Sequence, residues 1–227
     1  MRSIGMSGYG RAFCAVVISV LLLGTSASAN LVVNGDFETD AALFETWPGY
    51  TGWAPNPGEI PGWTGTGNRG INGPDIGAGT PFSDNGDNPT NALFMQGAGM
   101  LEQQITGLNI GEEYTLSLDF NARGWGVPLA LPAAAILFDD VVVASMVDVF
   151  GGDGEVPPVM GDPPNPWYHA DLPFTATAAE FKLGFASSVP QGGDATFLLD
   201  NVVLVPEPLS LSLLALGSLA LILRRRV

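Results

Sequence analysis

Alternating apolar and polar residues mark the most regular stretch of this chain. From Tyr114 to Ala122 every second residue is apolar, and Thr, Ser, Asp and Asn stand between them. This period of two predicts a β-strand with one buried face and one face in water. The alternation recurs at 174–178 and 181–185. Nearly continuous apolar runs predict further strands, covered on both faces, at 133–138, 141–146 and 197–204.

Turn signals separate these predicted strands. The chain has 30 Gly and 18 Pro, and Asn-Gly, Pro-Gly and Gly-Asp pairs stand between the apolar runs. No segment shows the pattern of an amphipathic helix, so the sequence predicts an all-β fold, an antiparallel β-sandwich or jelly roll. Residues 30–205 suit a single domain. Two long loops are expected, at 64–91 and 151–166.

Charge excludes some classes of function. The formal net charge is −15, and residues 30–205 hold three bases against 22 acids, a charge of −19. Nucleic-acid binding is excluded because it depends on clustered Lys and Arg. With one His and one Cys, the chain also lacks the residues for a transition-metal site or a thiol or His-based triad. Only paired carboxylates could support catalysis, and no positive sign of such a pair is present, so no catalytic residue is expected.

The N-terminus has the layout of a secretory signal peptide over residues 1–29. Arg2 and Arg11 precede an apolar run at 15–23, and Ala27-Ser28-Ala29 provides small residues for cleavage. The alternative, a retained membrane anchor, is disfavoured because the run is short for a span. Cys14 would leave with the signal, so the exported protein would have no thiol and no disulfide.

The C-terminus, residues 205–227, combines three features in order. Val205-Pro206-Glu207-Pro208 precedes an apolar run at 209–223, and Arg224, Arg225 and Arg226 follow it. A 15-residue helix covers about 22 Å, a marginal membrane span that snorkelling arginines can lengthen. The positive-inside rule would keep those arginines in the cytoplasm and the preceding domain outside.

This C-terminal order resembles the PEP-CTERM sorting signal of Gram-negative bacteria. The resemblance implies recognition by a membrane-embedded exosortase and the export machinery, and cleavage near Pro-Glu-Pro. It also implies a transient anchor in the inner membrane, a final location at the cell surface or in the extracellular matrix, and an association with exopolysaccharide. Val205, Pro206, Glu207 and Pro208 would then be substrate residues for another enzyme.

Motifs within the predicted domain carry a second resemblance. The first is Asn30-Leu31-Val32-Val33-Asn34-Gly35-Asp36-Phe37-Glu38, predicted as a short strand that runs into a tight turn. The others are Ile60-Pro61-Gly62-Trp63, residues 101–107 with Gln103 and Gln104, Gly111-Glu112-Glu113-Tyr114, and Leu198-Leu199-Asp200-Asn201-Val202-Val203-Leu204. Their series resembles galactose-binding-like jelly rolls, including several carbohydrate-binding modules. That resemblance implies a structural Ca²⁺ with Glu38 and Asp200 as side-chain ligands and Asp36 as a further candidate; carboxylate oxygens suit this hard cation. The alternative is that Glu38 and Asp200 only hydrogen-bond locally at turns.

Aromatic residues near amides suggest a polysaccharide site. Sugar rings stack their C–H faces on exposed aromatic planes while their hydroxyls bond to Asp, Asn and Gln. Trp47, Tyr50 and Trp53 in a Pro/Gly-rich loop are the first candidates, and Trp125 is the second. For any single Trp a core position is the alternative, and Trp63 is expected in the core.

Three functions remain open at this stage. The chain could be a non-catalytic carbohydrate-binding module, a structural or adhesive matrix protein without a specific glycan, or, least supported, a glycan-processing enzyme. A groove lined by exposed Trp beside amides would favour the first, and a deep pocket with two converging carboxylates would favour the last.

Overall fold

The computed structural model describes residues 29–44, 49–74, 88–123, 130–145, 155–156, 167–190, 192–193 and 195–207. Asn30–Glu207 forms one compact unit. The described residues contain a 3₁₀ helix, Ala41–Phe44, and eight strands: β1 (Thr64–Asn72), β2 (Ala92–Thr106), β3 (Glu113–Arg123), β4 (Ala133–Phe138), β5 (Val141–Ser145), β6 (Tyr168–Thr175), β7 (Glu180–Ser188) and β8 (Thr196–Pro206).

Both predicted terminal signals fall largely outside these ranges. Residues 1–28 of the predicted signal peptide and the predicted helix 209–223 lie outside the described residues. Within the ranges that the structure does describe, no helix has the length and apolar character needed to cross a membrane.

The described strands form an antiparallel sheet in the order β5-β4-β7-β2-β8-β3-β6, and β1 pairs with β2. Every pairing between these strands is antiparallel, so the predicted all-β antiparallel class is confirmed. The predicted alternating strand at 114–122 corresponds to β3. The strand predicted at 174–178 is displaced, because β6 ends at Thr175.

Strand β2 joins two branches of the sheet. Its residues 93–96 pair with β8, and its residues 99–106 pair with β7. Gly97 lies between these segments with φ 75°, and Gly67 on β1 has φ 78° at a register shift. A Cβ on Gly67 would lie 2.4 Å from the carbonyl oxygen of Ala98, which only glycine avoids. Both strands therefore leave the extended conformation at the point where the branches separate.

One hydrophobic core lies between the branches. Leu183 and Phe185 of β7 belong to the same buried cluster as Leu116 of β3 and Leu199 of β8. Burial of both branches in one cluster is consistent with a β-sandwich of the jelly-roll type. Trp63 also lies in this core, as expected from the sequence, and its indole N–H donates to the Asn34 carbonyl at 3.0 Å.

The loop predicted at 64–91 is wrong over its first third. Residues 64–72 form β1, although their sequence, TGTGNRGIN, has few of the residues typical of strands. The strand exists because its backbone pairs with β2, and its glycines permit close approach. A Cβ on Gly70 would lie 2.0 Å from the Gly49 carbonyl oxygen and 2.7 Å from the Phe94 ring.

The strand predicted at the start of the domain is also wrong. Asn30–Asp36 forms bends and turns beside β8 and β2. The Leu31 N–H donates to the Leu204 carbonyl at 2.9 Å. The side chain of Gln103 takes the place of a strand partner, because it accepts from the Val33 N–H and donates to the Val33 carbonyl, each at 2.8 Å. Side chains thus satisfy backbone groups that a ladder would otherwise pair.

Candidate functional site

Three aromatic rings contact one another in series, from the sheet to the solvent. Phe94 of β2 is fully buried, and the ring of Tyr50 meets it edge to face at a centroid distance of 5.1 Å. The ring of Trp53 lies 5.2 Å from that of Tyr50, and Trp53 is 58% exposed. We call Phe94, Tyr50 and Trp53 the aromatic platform. An exposed Trp supported by two further rings offers a flat apolar surface to a ligand.

The loop that carries the platform is fixed to the edge of β1. The Thr51 N–H donates to the Arg69 carbonyl at 2.9 Å, and the Ile71 N–H donates to the Gly49 carbonyl at 3.2 Å. Inside the loop, the buried Asn56 donates its side-chain amide to the Tyr50 carbonyl at 3.2 Å. These bonds hold the backbone on both sides of Trp53, so the loop should lose little conformational entropy when a ligand binds.

Phe94 belongs to the sheet face that points away from the main core. Its neighbours Leu93 and Met95 lie in the core, and successive strand residues point to opposite faces. Phe94 and Leu198 form a separate buried cluster, against which Tyr50 and Trp167 pack. We call this face of β1, β2, β8 and β3 the second face.

The second face departs from the sequence prediction on β3. The alternation predicts that Asn121 lies on the face in water, yet Asn121 is fully buried and Arg123 is almost so. The register explains this burial. Asn121 of β3 lies opposite Leu198 of β8, and Leu198 in turn lies opposite Phe94 of β2. An apolar cluster on the second face therefore covers polar side chains that alternation alone would place in solvent.

Polar side chains adjoin the platform along the strands. Asn68 and Gln96 lie opposite each other, two residues along from the paired Gly70 and Phe94. Two residues in a strand span about 7 Å, so these amides lie on the same face as Phe94, about 7 Å along the strands from it. Asn68 is exposed and Gln96 is half-buried. The sequence analysis missed both residues and Trp167, although the period-two spacing of Phe94 and Gln96 was a usable signal.

The candidate aromatic residues thus divide into two groups. The structure brings Tyr50 and Trp53 into ring contact. Trp47 and Trp125 lie outside the described residues, so their assignment stays a prediction.

The candidate calcium ligands Glu38 and Asp200 both hold the segment that precedes β2. Glu38 accepts from the Asn91 N–H at 2.8 Å and from the Asn91 side-chain amide at 2.6 Å. Asp200 accepts from the Asn88 side-chain amide at 2.6 Å and from the Thr90 hydroxyl at 3.3 Å. Glu38, which precedes the 3₁₀ helix, and Asp200, which lies on β8, thus both contact residues 88–91.

Burial changes the protonation of Asp200. The residue is fully buried, and this burial raises the pKa of its carboxyl to about 6, although hydrogen bonds from Asn88, Asn201 and Thr90 favour the charged form. A buried carboxylate without a cation is unfavourable, whereas a bound divalent ion would favour its ionised form.

The donor set fits a hard cation in its chemistry. Glu38 and Asp200 supply carboxylate oxygens, and the side chains of Asn88, Asn91 and Thr90, which here donate hydrogen bonds to them, carry further oxygens of the kinds that bind Ca²⁺. The described part of the chain contains no cluster of three or more His, Cys, Asp or Glu side chains suited to a metal. A calcium ion here would therefore depend on amide, hydroxyl and carbonyl oxygens as well. Asp36 is exposed and lines a separate open cleft with Asn30 and Asn201.

A second polar cluster surrounds His169 at the β6 edge. The His169 Nδ1 atom lies 2.6 Å from Asp119 Oδ1, and its Nε2 atom lies 3.3 Å from Asp171 Oδ1. The hydrogen bond with Asp119 is the main cause that raises the pKa of His169 above its ordinary value. The Ser117 hydroxyl donates to Asp171 at 2.5 Å and thereby lowers the pKa of Asp171. Ser117 therefore pairs with a carboxylate here and does not form a Ser–His nucleophile pair.

The adjacent acids Asp139 and Asp140 form the turn between β4 and β5. Their φ values are 48° and 67°, which is the backbone of a two-residue hairpin turn with positive φ at both positions. Asp140 pairs with Lys182 at 2.7 Å, and Asp139 accepts from the Lys182 N–H at 2.8 Å. These contacts give both acids a local structural role.

The described part of the predicted sorting signal is bound to the sheet. Val205 and Pro206 end β8 opposite Thr115 and Tyr114 of β3. The Glu207 N–H donates to the Glu113 carbonyl at 2.8 Å, and its carboxylate accepts from the Thr115 hydroxyl. Pro208 and the arginines 224–226 lie outside the described residues.

Comparisons with known proteins give weak similarities. No protein-family profile and no curated protein sequence matches the chain. Among solved structures, a cyclase from Fischerella sp. TAU in complex with 4-(1H-indol-3-yl)butan-2-one is 18% identical, with a TM-score of 0.48 over 78% of this chain and 96% of that one. TmCBM61, in complex with beta-1,4-galactotriose, is 15% identical, with a TM-score of 0.47 over 79% and 100%.

A third similar structure is the N-terminal cellulose-binding domain of β-1,4-glucanase C from Cellulomonas fimi. It is 15% identical, with a TM-score of 0.37 over 64% of this chain and 89% of that domain. TM-scores below 0.5 at such identities are too low to assign a function or a ligand site to this chain.

Proposed function

We propose that this chain is an exported, non-catalytic carbohydrate-binding protein of the cell surface or extracellular matrix. The observation that carries the proposal is the aromatic platform, in which a 58% exposed Trp53 rests on Tyr50 above the buried Phe94. An exposed indole, with amide side chains on the strand face that carries Phe94, suits the alternating apolar and hydroxyl surfaces of a sugar ring. In this proposal Trp53 stacks on the sugar, and Asn68 and Gln96 bond to its hydroxyls.

Export and sorting complete the proposal. The small-residue site at Ala27-Ser28-Ala29 would release the domain from its signal peptide. The Pro-Glu-Pro motif, apolar run and terminal arginines would direct it to an exosortase through a transient inner-membrane anchor. Exopolysaccharide at the cell surface is then the expected partner.

A structural Ca²⁺ at Glu38 and Asp200 belongs to the same proposal. The ion would neutralise the buried Asp200 carboxylate and connect three segments: the turn that carries Glu38, residues 88–91, and β8. It would thereby reduce the repulsion in a strongly anionic domain.

The test is glycan binding by the full chain in a non-ionic detergent. We expect retention on at least one polysaccharide of a panel, and we expect Trp53→Ala to weaken it by about 30-fold, the effect typical of a binding hot spot. Leu43→Ala is the matched control, because Leu43 is 55% exposed elsewhere on the domain. Equal binding by wild type and Trp53→Ala would refute the site, and an absence of binding across the panel would refute the function.

An adhesive matrix protein is the second candidate, and strand β5 favours it. At this end of the described strand order, Val141, Val142 and Val143 are 64%, 57% and 41% exposed. Consecutive exposed valines on an edge strand favour self-association, although the register shift at Val143 makes the edge less regular. Self-association that Val142→Lys abolishes, without any glycan binding, would support this candidate over the first.

A further inference from the structure

The basic residues of the domain are few, and the structure describes every one of them. Residues 30–205 contain Arg69, Arg123 and Lys182 against 22 acids. A side-chain ion pair with an anionic ligand would need one of these cations, so the surroundings of each base decide whether such a pair can form.

The backbone of Arg69 binds the loop that carries the platform, and the charge of its side chain is already compensated. Its guanidinium forms an ion pair with Glu59 and donates to the Gly67 carbonyl at 3.2 Å. Its side chain is 8% exposed, whereas that of Glu59 is 52% exposed. Arg69 lies opposite Met95, a residue of the main core, so its side chain is on the face away from Phe94, and its guanidinium is less exposed than the Glu59 carboxylate.

The other two bases also have hydrogen-bond or ion-pair partners. Lys182 of β7 pairs with Asp140 at 2.7 Å and with Glu102 at 2.9 Å. Arg123 is buried on the second face and donates to the Thr196 hydroxyl at 3.3 Å. His169, when protonated, lies between the carboxylates of Asp119 and Asp171.

From these charges we infer that the platform selects neutral polysaccharides and rejects those that carry carboxylate or sulfate groups. The inference rests on the proposed glycan-binding function and names the class of glycan. Long-range repulsion from a domain of formal charge −19 would make the binding of an anionic polymer less favourable. Such a polymer would also find no accessible cation at the site. A neutral sugar needs only stacking and hydroxyl bonds, which the platform offers.

The experiment compares one polymer in two charge states. The full chain in a non-ionic detergent, at constant calcium, is assayed on hydroxyethylcellulose and on a galactan. Each polymer is also assayed after oxidation of its primary hydroxyls to carboxylates. We expect binding to weaken at least tenfold on oxidation at low salt. The loss should shrink at 0.5 M NaCl because salt screens the repulsion.

A charge variant sharpens the test. Glu59→Gln removes the partner of Arg69 and should improve binding to the oxidised polymers severalfold, with binding to the neutral ones unchanged. Glu180→Gln makes the same change of net charge at an exposed position on β7 and should have no such effect. Thermal melting of both variants reports whether the fold is retained.

The outcomes separate this inference from the function on which it rests. Trp53-dependent binding that is equally tight to neutral and oxidised polymers would overturn the selectivity and leave glycan binding standing. A failure to bind any polymer would overturn both. Tighter binding to the oxidised polymers would also refute the inference.

Discussion

Trp53 and Asp200 depart from the usual distribution of residues in opposite directions. Trp53 exposes an apolar ring that most folds bury, and Asp200 buries a carboxylate that most folds expose. Each arrangement is unfavourable in the isolated protein, because apolar surface in water and charge in the interior both cost free energy. In the function proposed above, a different partner would relieve each cost: a sugar ring would cover the indole, and a calcium ion would neutralise the carboxylate.

The two residues also differ in what depends on them. Trp53 stands at the outer end of the aromatic platform, and Asp200 lies within β8, between β2 and β3. A change at Trp53 should therefore affect ligand binding with little effect on folding. A change at Asp200 should affect folding and its dependence on calcium and pH.

The largest expected effect is that of Asp200→Asn on stability without metal. Burial raises the pKa of Asp200 from 3.8 to about 6, and each pKa unit corresponds to about 1.4 kcal/mol. We expect the variant in EDTA at pH 7.5 to gain up to about 3 kcal/mol in free energy of unfolding, measured by chemical denaturation. Calcium should stabilise wild type and leave the variant unchanged.

Glu180→Gln is the matched control for this prediction, because Glu180 is an exposed carboxylate on β7, outside the proposed calcium site. Its response to calcium should equal that of wild type. An identical calcium response in wild type and Asp200→Asn would remove Asp200 as a ligand.

The next effect is a dependence on pH in EDTA. The folded state holds the Asp200 proton up to about pH 6, while the unfolded chain releases it near pH 4. This group therefore destabilises the folded state progressively as the pH rises through that window. Between pH 5 and pH 7 we expect wild type to lose about 1 kcal/mol more than Asp200→Asn. Parallel curves for the two proteins would contradict the raised pKa.

At Trp53 the expected change in stability is smaller still. We expect Trp53→Ala to alter the free energy of unfolding by less than about 0.5 kcal/mol, since surface substitutions rarely do more. Denaturation of this variant should accompany the glycan-binding assay. A large loss of stability would mean that Trp53 serves the fold, and the contrast with Asp200 would fail.

The smallest effect concerns His169. Hydrogen bonding to Asp119 raises its pKa, so its contribution to stability is complete below about pH 6.5 and is lost as the pH rises through the raised value. His169 is more than half exposed, so Gln substitution should cost only a few tenths of a kcal/mol at pH 5.5 and nothing at pH 9. NMR titration of the imidazole should give a midpoint above 6.5, and a midpoint below that would contradict the assignment.

The sequence by itself determined the class of the fold, because alternation is a local property. The predicted strands at 114–122 and 133–138 correspond to β3 and β4, and both lie in antiparallel pairs. The sequence also predicted Tyr50 and Trp53 as one aromatic group, since their loop is rich in Pro and Gly.

Only the tertiary structure decided which side chains meet and which are exposed. Strand β1 escaped prediction because pairing with β2, rather than its Gly-rich side chains, makes it a strand. Asn121 is buried because Leu198 and Phe94 come beside it from distant parts of the chain. Trp53 is exposed and Trp63 buried for the same reason: residue type gives the affinity for the core, but long-range packing decides which ring fills it.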